Sequence, residues 1–201
     1  MKYINKLTPI FILLFSVNAL SYGTFLNSSS LLNGSEYDVS GVTEFFSGDR
    51  SGTHLMGMVD LPFTKETNLR FYGGVASLDF SLGANIKWVP IKTNSKNQFN
   101  FGGVASAEYG RDGGIDAFLF RAAPFISKAF SWEHGSLEPY AAIPLGVVAV
   151  DSSSDMTSQF VIGSKVKFDS LNYMSFSAET GVDIKNSESY FALMATVMLR
   201  K

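Results

Sequence analysis

The sequence predicts an all-β, single-domain protein: an antiparallel up-and-down transmembrane β-barrel of about ten strands, with eight or twelve as the alternatives. Three observations carry this. Segment after segment alternates apolar and polar residues with period two, and no helical period of comparable length competes. Clusters of Gly, Asn, Asp and Ser separate the segments at short spacing. The chain also opens with an export signal.

The clearest segment is 172–185. Asn172, Met174, Phe176, Ala178, Thr180, Val182 and Ile184 fall on one face, and Tyr173, Ser175, Ser177, Glu179, Gly181, Asp183 and Lys185 on the other. Successive strand side chains point to opposite sides, so this strand has one greasy face and one wet face. It exceeds the roughly 9–11 residues that a tilted strand needs to cross a bilayer.

Composition narrows the class. Of 201 residues 46% are hydrophobic and only 17% charged, against about 25% charged in an ordinary soluble domain. With no cysteine, there is no disulfide framework and no thiolate chemistry. Residues 1–21 read as a signal peptide. Lys2 and Lys6 are its basic region, the run from Pro9 to Phe15 its apolar region, and Ala19-Leu20-Ser21 a small-x-small site for cleavage before Tyr22. Its removal takes away two lysines and no acid, which moves the formal charge from -2 to -4. That balance argues against a nucleic-acid partner.

Residues 22–36, rich in Ser, Asn and Gly, read as an N-terminal tail, and 37–201 as the barrel. Strands are expected at 37–46, 52–61, 69–76, 79–89, 98–109, 115–129, 137–150, 159–168, 172–185 and 189–199. Arg111-Asp112-Gly113-Gly114 is a strong turn signal. Pro144 removes a ladder donor in the middle of the seventh segment, so a bulge or kink is expected there. Asp151 to Asp155 reads as a loop. Gly-Gly-Val-Ala-Ser occurs at Gly73 and again at Gly102, but with opposite face parity, so it is compositional rather than a structural repeat.

Alternation alone does not distinguish a membrane barrel from a soluble barrel with a greasy interior. The export signal favours the membrane version. So do polar faces of few charges among many Ser, Gly and Asn, and aromatics at segment ends, including Tyr37, Trp88, Phe99, Tyr109, Phe168 and Phe191.

Four motifs add a resemblance: Lys87-Trp88-Val89-Pro90; Ala107-Glu108-Tyr109 with Arg111-Asp112-Gly113-Gly114; the run from Pro139 to Gly146; and the run from Ala178 to Asp183. With the last strand, they make the chain resemble small, mostly uncharacterised Gram-negative outer-membrane β-barrel proteins. The resemblance implies the barrel and the outer membrane, so barrel-assembly machinery and outer-membrane lipid are the expected partners. It carries no catalytic residue across. Such barrels usually end in an aromatic, whereas this chain ends Leu199-Arg200-Lys201. With the termini expected in the periplasm, the outer rim counts more acids than bases, and divalent cations shared with phosphate groups add lipopolysaccharide to the expected partners.

Chemistry is sparse. His54 is expected opposite Glu44, both inward, a pair able to orient a base if a neighbouring strand supplied a nucleophile. A hydrogen-bonded lumen pair is the plainer reading, so no catalytic residue is assigned. His134 lies in a turn, and Asp151 and Asp155 make at most a weak cation site. No cofactor or metal motif occurs. The inward charges Arg70, Asp79, Lys87, Glu108, Arg121, Lys165, Lys167, Glu179 and Asp183 are expected to form a network that fills the lumen, since unpaired charges there are costly. A structural or envelope-integrity barrel is thus the first reading. A narrow pore for ions or small solutes is the alternative, and a membrane-embedded hydrolase the third.

Overall fold

The computed structural model describes residues 25–47, 51–76, 80–93 and 98–200. In order the strands are β1 (Glu36–Ser47), β2 (Gly52–Pro62), β3 (Thr67–Ala76), β4 (Phe80–Ile91), β5 (Asn100–Asp112), β6 (Ile115–Ser127), β7 (Phe130–Trp132), β8 (Gly135–Ala142), β9 (Leu145–Val150), β10 (Ser153–Phe168), β11 (Met174–Lys185) and β12 (Ser189–Arg200). A 3₁₀ turn, Asp169–Leu171, joins β10 to β11. All pairings are antiparallel, and β1 pairs with both β2 and β12. The sheet therefore closes on itself and leaves no edge in its wall.

The closed wall has ten staves, because β8 and β9 are halves of one and β7 pairs only with β8 among the described residues. The break falls at Ile143-Pro144, where the sequence anticipates a kink. Two bonds carry the ladder across it: Ile143 N donates to Pro124 O at 3.2 Å, and Gln159 N donates to Pro144 O at 3.1 Å. β10 starts earlier than expected. Asp151-Ser152 alone make the turn, and Ser153 to Asp155 pair with Val148 to Val150. Polar composition misreads these residues as loop, because the pairing partner sets the strand start. The Gly113-Gly114 hairpin forms with both glycines at positive φ, 58° and 84°, the conformation a two-residue turn requires.

The start of β1 and the end of β12 lie at one rim, the lower, with the turns 63–66 and 169–173; Gly113-Gly114 and Asp151-Ser152 lie at the opposite, upper rim. Outward positions carry Leu55, Phe71, Leu82, Phe118, Phe120, Ile162 and Leu193, all exposed. Inward positions carry Ser40, Glu44, His54, Asp60, Arg70, Lys87, Glu108, Thr157, Gln159 and Glu179, all buried. The same inward face also buries apolar side chains such as Val42, Met56, Met58, Leu119 and Met194, so the interior is mixed. An apolar outer wall around an interior that holds many charges is still the polarity of a bilayer-spanning barrel, since water-soluble monomers rarely expose apolar patches beyond a few hundred Å². Val75 is exposed and Val104 buried, so the two Gly-Gly-Val-Ala-Ser stretches do present opposite faces.

Candidate functional site

The lumen of the lower half is filled by the chain's own N-terminal segment. Residues 25–32 form no strand, yet Phe25, Leu26, Asn27, Ser28 and Leu32 are buried inside the wall. An extended segment without a ladder needs partners for its backbone, and inward side chains supply them, four charged ones foremost, with Tyr190 and Asn68 also accepting from Phe25 N and Leu32 N. Glu179 on β11 accepts from Phe25 N and Leu26 N, both at 2.7 Å, and from Tyr140 and Tyr190 hydroxyls at 2.7 and 2.6 Å. Arg70 on β3 grips Asp60, its cross-strand partner, through two bonds of 2.8 and 2.9 Å, and donates a third to Leu26 O at 3.1 Å. Lys87 on β4 donates to Ser28 O and Ser30 O at 3.0 and 2.6 Å. Glu138 on β8 accepts from Ser29 N at 2.7 Å, Ser30 Oγ at 3.0 Å and Ser127 Oγ at 2.8 Å. The Phe25 ring packs against Phe125 and Tyr140, centroids 5.6 and 5.8 Å away.

The upper half holds a second polar cluster. β1 and β2 pair Glu44 with His54, the register expected from the length of the first loop. Glu44 Oε2 lies 3.4 Å from His54 Nδ1, and Ser81 Oγ on β4 lies 3.2 Å from His54 Nε2. Ser81 and His54 are two strands apart, and Gly74 on the strand between them makes the meeting possible. A Cβ on Gly74 would come within 2.4 Å of His54 Nε2. With the Nδ1 proton toward Glu44, Nε2 accepts the Ser81 hydroxyl proton, the hydrogen-bond order of an activated serine. All three side chains are fully buried, and the Phe46 ring stacks on the imidazole at 6.3 Å. Beside them, Glu108 accepts from Tyr72 OH at 3.1 Å and faces Arg121 at 3.8 Å.

The inward charges thus divide. Arg70, Lys87 and Glu179 hold the N-terminal segment; Glu108 and Arg121 belong to the upper cluster. Lys165 lines a small void with Asp38, Asp60, Arg70 and Lys87, while Lys167 is half-buried near the lower rim. Asp183 does not join them. β11 still pairs with β10 there, Asp183 opposite Gln159, but its ladder to β12 ends at Gly181; Asp183 is exposed, and its carboxylate accepts from Ser187 N at 2.9 Å. Tyr173, inward by alternation, lies exposed in the turn before β11. Asp79 lies outside the described residues. His134 is exposed. No group of three or more metal-ligating side chains occurs among the described residues.

Alternation points Asp60, Glu138 and Ser81 inward, but nothing in the sequence marks them as partners of a distant segment. Two voids of about 20 Å³ each remain in the filled lumen, one beside Asn27, Asn85 and Arg121, the other beside Asp38 and Lys165. Each has room for about one water. Both adjoin buried oxygens that have no hydrogen-bond partner among the described residues, Asn27 and Asn85 Oδ1 in the first and Asp38 Oδ1 in the second.

No family model matches the chain, and no curated protein matches it in sequence. Solved outer-membrane barrels resemble it in fold. LpxR from Salmonella typhimurium is 8% identical, covering 98% of this chain and 96% of its own, with a TM-score of 0.48. The outer membrane enzyme PagL is 13% identical, with 80% and 98% coverage and a TM-score of 0.43. The N-terminal β-barrel domain of Pseudomonas aeruginosa OprF is 10% identical, with 82% and 98% coverage and a TM-score of 0.37. At these identities the likeness lies in barrel architecture alone, and no residue role transfers with it.

Proposed function

We propose that the protein is an outer-membrane structural barrel, closed to solutes by its own N-terminal segment and contributing to envelope integrity. One observation carries this: the stretch from Phe25 to Ser30 threads the lumen and is hydrogen-bonded to wall residues on β3, β4, β8 and β11. Ten staves enclose little more than the side-chain-filled interior of eight, and far less than the channel of about 16–18. Planar-bilayer recording tests it. The purified protein is expected to show no steady conductance, and stable single-channel steps would establish the pore reading instead.

The lower rim faces the periplasm in this reading, and the upper rim faces outward, where acidic loops share divalent cations with lipopolysaccharide phosphates. The barrel-assembly machinery inserts it after signal-peptide removal. On intact cells, Asp112→Cys or Ser153→Cys should react with a membrane-impermeant maleimide and Thr64→Cys should not. The reverse pattern would overturn the orientation.

A second reading, ester hydrolysis, is favoured by the Glu44–His54–Ser81 order alone. Labelling of Ser81 by a fluorophosphonate, lost in His54→Ala, would support it. The full burial of all three groups favours a structural clasp, and no labelling is expected.

A further inference from the structure

The outer wall carries one feature that the filled lumen does not explain. At the foot of β4 the ladder to β5 slips: Trp88 pairs with Gly103, but Ile91 pairs with Phe101, so two residues of β4 face one of β5. The cause is local. Pro90 has no N–H to give, and Val89 N donates to Glu66 O at 2.8 Å rather than to β5. β4 therefore leans toward the β2–β3 turn, and an outward groove of about 640 Å³ opens over the β4–β6 wall. That volume falls within the roughly 300–1,000 Å³ typical of small-molecule sites.

Small residues make the floor: Gly103, Ala105 and Ala122. Trp88, Phe101 and Pro124 make the walls, and the Trp88 and Phe101 side chains stand about half exposed. The groove lies on the apolar outer face, in the lower half of the barrel. Two lysines outside its lining stand below it, past the ends of β4 and β6. Lys92 follows β4 and donates to Lys65 O at 2.8 Å. Lys128 follows β6 and sits 5.2 and 5.3 Å from the Phe99 and Phe130 ring centres. Glu66 adds one negative charge on the same side, its carboxylate accepting from the Trp88 indole at 3.4 Å, and the two lysines outnumber it.

We infer that this groove is a binding site for an anionic glycerophospholipid of the inner leaflet, one acyl chain lying over Gly103 and the phosphate between Lys92 and Lys128. The inference rests on the membrane orientation proposed above. Among lipid tails there is no hydrophobic drive, so selection depends on packing and on charge. A trough floored by glycine and alanine supplies the packing, and the two lysines supply the charge.

Native mass spectrometry of the protein released from nanodiscs of mixed phosphatidylglycerol and phosphatidylethanolamine tests the site. The wild type is expected to retain one lipid, mostly phosphatidylglycerol. Gly103→Leu with Ala105→Leu fills the trough. A Cβ on Gly103 meets only Ala123 O at 4.0 Å, so the wall tolerates it. This variant should lose retained lipid by about ten-fold, the order expected from forfeited close contacts. Gly57→Leu, on the outer face with open space around its Cβ, should behave as wild type. Lys92→Gln with Lys128→Gln should keep a lipid but lose the preference for phosphatidylglycerol. Equal retention by the filled variant would overturn the site. A dimer abolished by the filled variant would assign the groove to a second copy instead. Failure to enter nanodiscs at all would count against the membrane reading, not against the groove.

Discussion

Glu179 and Glu44 lie on strands either side of β12, both in register with Ala192, and both are buried in the lumen. Their surroundings are opposite. Glu179 accepts four hydrogen bonds of 2.6–2.7 Å, two from backbone and two from tyrosines. Among the described residues Glu44 has one long contact, to His54 at 3.4 Å, and its Oε1 has no hydrogen-bond partner. A saturated carboxylate is a structural hub, because every donor it holds would be left buried and unpaired without it. An undersupplied one contributes less to the fold. The lower lumen is thus locked, and the upper lumen is where rearrangement costs least.

Breaking the hub should have the largest effect. Glu179→Ala removes the acceptor of four buried donors, with an expected loss of about 3–5 kcal/mol. Urea unfolding in detergent, read by heat-modifiable gel mobility, measures it. The released segment should also become protease-sensitive. Glu44→Ala should cost about 1–3 kcal/mol. Equal losses for the two glutamates would remove the contrast.

Gly74→Ala comes next. Its Cβ would sit 2.4 Å from His54 Nε2 and 2.5 Å from Met56 Cγ, forcing the imidazole off Ser81 at about 1–3 kcal/mol. The same unfolding assay applies, and a wild-type midpoint would show that the upper cluster repacks freely.

Arg70→Lys tests the lock more gently. The charge stays, but the two-bond grip on Asp60 and the bond to Leu26 O are not made together, for about 1–2 kcal/mol. Ser81→Ala should be smallest, about 0.5–1.5 kcal/mol, because it deletes a single neutral hydrogen bond. A larger loss would promote the upper cluster to a second hub.

The wall was legible because a period of two survives in nearly every stave, and because Gly113-Gly114 and Pro144 announce their local geometry. The Glu44–His54 pair was legible because a short hairpin fixes its own register. The lumen filling was not. Residues 25–32 have no period of their own, and their partners lie on strands far along the chain. Ser81 was missed for a related reason: its contact with His54 crosses a whole strand and depends on the missing side chain at Gly74. The groove left only one trace, Pro90 near a strand end, and strand proline alone does not say whether the wall bulges.

The N-terminal segment also bears on timing. Phe25 N reaches the Glu179 carboxylate and the Tyr190 hydroxyl across separations of 154 and 165 residues. Contacts so distant along the chain are slow to form, whereas each hairpin of the wall pairs locally. The closure of β1 on β12 spans separations as long, but the segment's partners stand on β3, β4, β8 and β11, so its bonds are complete only after those staves have met, and it is expected to be fixed late. Interactions made after the rate-limiting step slow unfolding while leaving the folding rate nearly unchanged. The barrel assembles at the pace its hairpins and their closure set, and its lifetime once assembled is set largely by the hold of Glu179 on Phe25 and Leu26.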